Sequence, residues 1–268
     1  MLFRSEHPEN FLKEEVLLSV EGLTDVSGVL KDLSFNLHAG EILGFAGVGG
    51  NGQEELFEVL AGNLKLSSGE IKLRGSSLIQ LDTLARRRAG IAYITDDRMK
   101  KGLAPDRSII ENTMAGHHRF GVFGKALIDK SKARAFAKSI IADYDVRAGK
   151  NLKTAVRALS GGNMQKLLVG REIAYNPAVL VASQPTAGVD VAARKLIHDS
   201  FRKLSETGSG VVLISGDLEE IMDLANRIIV LYRGRAVAEM TYPNYDTTEI
   251  GYYMTGIRGS QDVHWSHS

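Results

Sequence analysis

The sequence predicts an α/β fold with a mostly parallel sheet covered by helices on both faces. Three patterns carry that expectation. Residues 40–47, GEILGFAG, read as a buried strand that runs through a glycine loop into a helix. In that helix the apolar positions Leu56, Phe57, Leu60 and Ala61 recur at helical spacing. Residues 163–232 then alternate helix and strand in the lengths of parallel α/β units. Between these regions, residues about 100–160 change character and read as a mostly helical insertion.

Taken in order, residues 1–15 are polar, mixed in charge and contain Pro8, as in a linker or tail. LLSVEG and LSFNLH read as short strands, GEIKLRG (69–75) as another, and IAYI (91–94) as a buried one. Asp106 or Ser108 is placed to cap a helix, and 131–144 has helix composition. A helix over 163–175 stops before Pro177 and is followed by strand AVLVAS (178–183). Helix 191–206, strand 210–215, helix 217–225 and strand 227–232 complete the rhythm. The last residues, 258–268, lack periodicity and read as a disordered or vector-derived tail.

Composition narrows the chemistry. With 268 residues there is room for one large domain or two small ones. Lys+Arg 33 against Asp+Glu 32 gives no general reason to bind nucleic acid or an anionic membrane, although local patches stay open. The absence of cysteine excludes disulfides, thiol catalysis and cysteine-held metals. The seven His show no metal-ligand spacing, and His117 and His118 are adjacent, so they cannot share one helix face. No apolar run approaches the ~20 residues of a membrane-spanning helix. MLFRSEHPEN lacks the pattern of a signal peptide. The excess is glycine: 28, against 5 proline.

Gly47-Val48-Gly49-Gly50-Asn51-Gly52-Gln53-Glu54 has the spacing of a phosphate-binding loop, G-x-x-x-x-G-K-[ST], with its last two positions changed. Glycines let backbone N–H groups converge, and the following helix adds its positive end. The cation is missing, because Gln53 stands in its place; the metal-binding hydroxyl is missing too, because Glu54 stands there. A lysine–phosphate hydrogen bond is worth ~1.5–3 kcal/mol. A carboxylate ~4 Å from a phosphate charge costs up to ~4 kcal/mol at an effective dielectric of ~20. Together these amount to roughly two to five orders of magnitude in affinity. Read alone, the loop fits either a phosphate site stripped of its charges or a glycine-rich turn that holds nothing.

A second motif opens the helix after residue 158: Leu159-Ser160-Gly161-Gly162-Asn163-Met164-Gln165-Lys166. Ser160 supplies a hydroxyl, the glycines expose N–H groups, and a helix N-terminus favours an anion. The bland reading is a capped helix start. The stretch resembles the LSGGQ signature of ATP-binding cassette (ABC) proteins, in the LSGGN-x-QK form of sugar and nucleoside importers.

The resemblance extends from about Val16 to Ile257. VLVASQPTAGVD (179–190) is similar to the family's Walker B strand and D-loop, with Ser183-Gln184 in place of Asp-Glu and with Asp190 retained. LISGDLEE (213–220) matches the stretch of the switch histidine, whose place Gly216 takes. YITDDR (93–98) matches the Q-loop region, with Asp96, Asp97 and Arg98 there. The aromatic that stacks on adenine has no clear counterpart in TDVSGVLKD. The departures fall on the lysine, the metal hydroxyl, the metal carboxylate, the general base and the histidine; Gln184 cannot take a proton as a carboxylate does.

This pattern resembles the degenerate second cassette of tandem sugar and nucleoside-type (basic membrane lipoprotein-dependent) importers, and LFRSEHPE resembles the linker between their halves. The resemblance implies a P-loop NTPase core of ABC cassette type over 16–257, with an antiparallel β lobe and a helical subdomain. It implies that Leu159, Ser160, Gly161, Gly162, Asn163 and Gln165 serve a partner cassette's ATP and Mg²⁺, and that the own loop binds nucleotide weakly or not at all. It implies a permease beneath which the helical subdomain and Q-loop region dock, a substrate-binding lipoprotein indirectly, no nucleic acid, and a peripheral place on the cytoplasmic face of the membrane. Two other readings stay open: an autonomous ATPase with Glu54 or Asp96 rescuing Mg²⁺, and an interaction module that has lost nucleotide. A nucleic-acid-associated ABC protein is disfavoured by the near-zero charge.

Overall fold

The computed structural model describes residues 12–124, 127–149 and 151–258. The readings of residues 1–11 as linker and 259–268 as tail lie outside the described residues. The chain divides into two compact units. The first comprises Met1–Ile91, Ala178–Ser183 and Phe201–Ser268; the second comprises Ala92–Pro177 and Gln184–Ser200.

The first unit contains two sheets. One is antiparallel, built from β1 (Val16–Asp25), β2 (Leu33–His38), β4 (Leu66–Leu73) and β5 (Ser76–Ser77) in the order β2-β1-β4-β5. Its strands alternate, as β2 does in burying Leu33, Phe35 and Leu37 while exposing the residues between. In the other sheet β3 (Ile42–Ala46) lies between β8 (Gly210–Ser215) and β9 (Arg227–Tyr232), parallel to both. Outside them lie β7 (Val179–Ser183), parallel to β8, and β10 (Arg235–Thr241), antiparallel to β9. Strands β3, β7 and β8 are buried at every residue, as in a sheet covered on both faces. Phe35 meets Phe45 edge-on at 4.9 Å, which joins the two sheets through one aromatic contact.

Helices α1 (Gln53–Ala61), α2 (Thr83–Ala89), α7 (Leu218–Leu224) and α8 (Thr247–Thr255) complete this unit. Helix α7 packs so closely on β3 that a Cβ at Gly44 would stand 2.5 Å from Ile221 Cγ2. The carbonyls of Val59 and Leu60 at the end of α1 accept hydrogen bonds from the buried guanidinium of Arg86, which suits the negative end of the helix.

The second unit takes up the chain along β6 (Ile91–Ile94). A single π-turn at Arg98–Gly102 follows, then α3 (Ile109–Met114), α4 (Lys130–Asp143) and α5 (Gly161–Ile173). The first residues of α6 (Val191–Glu206) also belong to it. Ser108 and Glu111 form a reciprocal capping box that starts α3. Asp106, the other candidate cap, instead pairs with Arg157 at 2.6 Å. Met114, Phe123 and Ala133 form a small core against Ile110, Phe136 and Tyr175.

The structure adds four elements that the sequence does not announce: the two-residue β5, α2, β10 and α8. Helix α2 is short and carries three consecutive arginines. Strand β10 is a partly exposed edge with only two buried residues. Helix α8 buries Ile250 and Tyr253 and packs against β9 and β10. The signature helix begins at Gly161, two residues before the predicted start, because Ser160 caps it.

Charge fixes where β3 and β9 begin. Glu41, 2 % exposed, accepts from Arg227 Nε at 2.8 Å and from the His38 backbone N–H at 2.7 Å. Arg227 also reaches Glu239 Oε1 at 2.9 Å and the Asn36 carbonyl. Burial alone would raise the Glu41 pKa, but the His38 hydrogen bond and the Arg227 charge outweigh it and hold the carboxyl below its ordinary 4.5. A depressed folded-state pKa stabilises above the unfolded value and loses that contribution as pH falls through the folded one. Glu41→Gln should therefore cost roughly 3 kcal/mol at neutral pH, by leaving Arg227 short of its buried partner. Denaturant titrations at a series of pH values should show the gap to wild type narrowing below about pH 4.5. A gap that is constant with pH would mean that the carboxylate charge is not what stabilises this corner.

Candidate functional site

In the first unit the parallel strands bring their carboxyl ends together, the edge where open α/β sheets receive ligands. Ala46, the last residue of β3, pairs with Ser215 of β8, and Ser183 of β7 pairs with Ile214. The glycine loop leaves this edge after Ala46, with Ser183 and Gly216 on the neighbouring strand ends. Ser183 is buried and Gly216 is exposed.

The loop is held from behind. Asn51 Oδ1 accepts from the Arg233 N–H at 3.0 Å, and the Asn51 carbonyl accepts from the Gly234 N–H at 3.1 Å. Asn51 Nδ2 donates to the Met254 carbonyl of α8 at 3.3 Å. Gly52 has φ 106, and a Cβ there would stand 2.8 Å from Leu30 Cδ2, so only glycine fits. On the front side Gly49 and Gly50 are exposed, with nothing within 4 Å of a Cβ at either position.

Gln53 does not extend over the loop. Its amide lies against Gly47, where a Cβ would be 2.7 Å from Nε2, and its buried Oε1 has no hydrogen-bond partner. Glu54 stands exposed in the first turn of α1, followed by Glu55. After β8 the chain is braced internally: Ser215 Oγ donates to Glu220 Oε2 at 2.7 Å and accepts from the Asp217 N–H at 3.0 Å.

In the second unit, the signature and the turn after β7 form one assembly. Ser160 caps α5 by accepting from the Asn163 N–H at 3.4 Å and from Asn163 Nδ2 at 2.7 Å. Asn163 Oδ1 accepts from the Arg147 N–H at 2.8 Å. Buried Gln165 donates from Nε2 to the Pro185 carbonyl at 2.7 Å. Arg98 Nη1 donates to the Ala187 carbonyl at 3.1 Å, and its Nη2 lies 2.9 Å from where a Gly161 Cβ would be. Asp190 caps α6 through the Ala193 N–H at 2.8 Å and turns its other oxygen toward Gly162, 3.8 Å from a Cβ built there. Gln184, just before Pro185, holds φ 48, a left-handed conformation costly for a side-chain-bearing residue.

A cavity of about 150 Å³ opens beside this assembly, lined by Asp145, Arg147, Ser160, Asn163, Lys166 and Asp190 among others. Lys166 lies at its wall, bonded to the Asp145 carbonyl and 3.2 Å from Asp145 Oδ2. Leu159 is buried beneath the signature. Asp96 accepts from Thr95 Oγ1 at 3.1 Å, and Asp97 caps the π-turn through the Lys100 N–H at 3.0 Å. Among the described residues no cluster of three or more His, Cys, Asp or Glu could hold a metal.

The structure thus groups Gly47, Gly49, Gly50, Asn51, Gly52, Gln53 and Glu54 with Ser183 and Gly216 in one unit. It groups Leu159–Asn163, Gln165, Asp190 and Arg98 in the other. Sequence reading passed over Arg233–Gly234, Met254 and Arg147. The first two positions left one signal, the tight Arg-Gly-Arg turn after β9, while Arg147 left none because it acts through its backbone.

An ABC transporter family model matches residues 30–187. The chain is 40 % identical over 245 residues to a guanosine import ATP-binding protein of Bacillus subtilis, covering 90 % of this chain and 48 % of that protein. It is also 40 % identical over 237 residues to a glucose import ATP-binding protein of Haloferax volcanii, covering 87 % of this chain and 43 % of that protein. A ribose import ATP-binding protein of Rubrobacter xylanophilus is 36 % identical over 227 residues, 84 % of this chain and 45 % of its own length. The chain therefore spans about half the length of the curated relatives it matches. Among solved structures, a dimeric ATP-binding cassette in a post-hydrolysis state bound to ADP and Pi superposes with a TM-score of 0.75. It has 22 % identity and covers 85 % of this chain and 100 % of that one. The ATP-binding subunit of an ABC transporter superposes at 0.73, with 20 % identity, over 89 % of this chain and 99 % of that one. These establish the ABC cassette fold, a P-loop NTPase core with a helical subdomain.

The Asn51 clamp yields a test of what shapes the loop. Asn51→Ala should destabilise the first unit by about 1–2 kcal/mol, since the Arg233 N–H loses its acceptor and the Met254 carbonyl loses a donor. Hydrogen exchange should speed up at residues 48–52, at the Arg233–Gly234 turn and at the end of α8, and stay unchanged along β7 and β8. Unchanged exchange at the turn would show that the loop holds its shape without Asn51.

Proposed function

We propose a function from one premise: this chain belongs to the ABC transporter family. It acts as one of the two ATP-binding cassettes of an importer for nucleosides or simple sugars, as the names of its relatives suggest. It pairs with a second cassette, the N-terminal half of the same polypeptide, and docks beneath a permease on the cytoplasmic face of the membrane. A substrate-binding lipoprotein delivers the solute to that permease.

The contrast between the two glycine motifs supports this reading. In the signature assembly, Ser160 and the N-terminus of α5 face outward, and Arg98, bonded to the Ala187 carbonyl, lies alongside Gly161. That surface suits the phosphate end of a nucleotide held by another cassette. The own loop does not suit a metal–triphosphate. Its front bears a neutral amide folded onto Gly47, an exposed carboxylate at Glu54 and a hydroxyl at Ser183 where the family has an aspartate. Gln184 and Gly216 provide neither a base nor a ring nitrogen to orient water. ATP with Mg²⁺, bound in the partner's loop, supplies the phosphoryl-transfer energy. Ser160, Gly161, Gly162 and Asn163 close over it, while Asp190 and Gln165 hold the D-loop turn against the signature.

ATPase assays on this chain alone, the other cassette alone and the mixture test the reading. The chain alone should run at background; a Mg²⁺-dependent rate on the order of 1 s⁻¹ or more would make it an autonomous enzyme. Nucleotide affinity should be weak and should rise in Glu54→Thr, measured by calorimetry; tight wild-type binding that the change weakens would make Glu54 a metal ligand.

Gly161→Asp should fold, because a Cβ there comes within 3 Å only of the movable end of Arg98 and otherwise meets the Gly188 carbonyl at 4.0 Å. It should nevertheless abolish turnover in the two-cassette assembly by setting a carboxylate against the partner's phosphate. Glu54→Thr should leave that turnover largely intact. Near-normal turnover with Gly161→Asp would reduce the signature to a packing surface.

A further inference from the structure

The whole-chain charge of +1 conceals a separation. The second unit holds 18 Lys+Arg against 10 Asp+Glu, a balance of +8, while the remainder holds 15 against 22, a balance of −7. Much of the excess lies on one helix. Lys130, Lys132, Arg134 and Lys138 of α4 are all exposed, and its other face buries Ala133, Ala137 and Ile140. Lys130, Arg134 and Lys138 are spaced four apart and form a single stripe. The nearest acid, Asp129, is occupied in capping the Ser131 and Lys132 N–H groups at 2.9 and 3.1 Å. The other acid of the helix, Asp143, lies at its far end.

This placement does not serve the helix. Lys130 and Lys132 sit in the first turn, where the helix dipole disfavours cations, and the last turn carries no basic residue. Just ahead of the cap, Leu127 is 86 % exposed and Ile128 50 %, with Val122 also exposed earlier in the same connection. His118 and Arg119 are exposed nearby in sequence. Aliphatic side chains left in water beside a row of cations match the composition of surfaces that rest on a bilayer. The exposed apolar members are aliphatic, without the aromatic rings on which nucleic-acid bases stack.

We propose that the stripe Lys130–Arg134–Lys138, with Leu127 and Ile128 as its apolar lead-in, is a docking surface for an anionic lipid bilayer. The cations lie over the headgroups and the two aliphatic side chains enter the interface. The physiological setting rests on the membrane-side placement proposed above, but vesicle binding needs neither nucleotide nor a second cassette. A negative result here leaves the signature reading standing, and failure of the ATPase tests leaves this one standing.

The test is cosedimentation of the chain with vesicles of phosphatidylcholine alone and of phosphatidylcholine mixed with phosphatidylglycerol. Binding should appear only with the anionic vesicles and fall as salt is raised. The combined change Lys130→Gln, Arg134→Gln, Lys138→Gln should lower partitioning on the order of 100-fold, at about 1 kcal/mol per cation near an anionic surface. Leu127→Ser with Ile128→Ser should weaken binding and leave its salt dependence in place. All five positions are exposed, and circular dichroism should show unchanged helix content. No binding, equal binding to both vesicle types, or a triple variant that binds like wild type would each overturn the proposal. It would also fall if the chain ignored vesicles while the triple change weakened its hold on the permease, since the stripe would then be a protein contact.

Discussion

Arg171 and Glu172 are consecutive in α5, both sealed from solvent, with Arg171 Nη2 2.7 Å from Glu172 Oε1. An opposite-charge pair at that depth is stable only if its remaining hydrogen-bonding capacity is also used. Here it is: Arg171 donates to the Gly102 carbonyl at 2.9 Å and the Asn112 carbonyl at 3.4 Å, and Glu172 accepts from the Tyr93 N–H at 3.3 Å. One pair therefore binds α5 to β6, to the end of the π-turn and to α3. Removing either charge would leave the other buried and uncompensated, at roughly 3–5 kcal/mol.

The signature depends on that anchor. With the far end of α5 bolted to the segment 93–102, Arg98 from the same segment arrives at the near end, beside Gly161 and the Ala187 carbonyl. The helix start, the D-loop turn and the residues after β6 are thereby linked at two points roughly three helical turns apart.

The phosphate-type loop of the first unit shows the opposite economy. Its rear is fully specified by Asn51, Gly52 and the Arg233–Gly234 turn, while its front carries the exposed carboxylate of Glu54 and no cationic side chain from Gly47 to Glu54. Backbone shape and side-chain chemistry are separable in such a loop: hydrogen bonds from behind hold the first, and the side chains at Gln53 and Glu54 set the second. The charge separation between the two units likewise vanishes in any whole-chain sum, so a composition near neutrality says little about local surfaces.

Much was legible in the sequence for a plain reason. Buried parallel strands are continuous apolar runs, and glycine loops at helix starts are local in the chain, so β3, β7, β8, β9, α1, α5 and both glycine motifs could be read from spacing alone. The identities Gln53, Glu54, Ser183, Gln184 and Gly216 were equally plain, because the residue at a motif position is a one-residue fact. Edge elements were not legible: β10 is half-exposed, α2 is one short helix with three arginines among seven residues, and α8 gains its apolar partners only once β9 and β10 are in place. Nor were the long-range contacts. That Asn51 reaches Met254 across 203 positions, and that Arg98 reaches Ala187 across 89, depend on chain reversals that no local pattern encodes. Periodicity and motif spacing record which faces must be buried and which backbone groups converge; only the folded chain decides which distant side chain meets them.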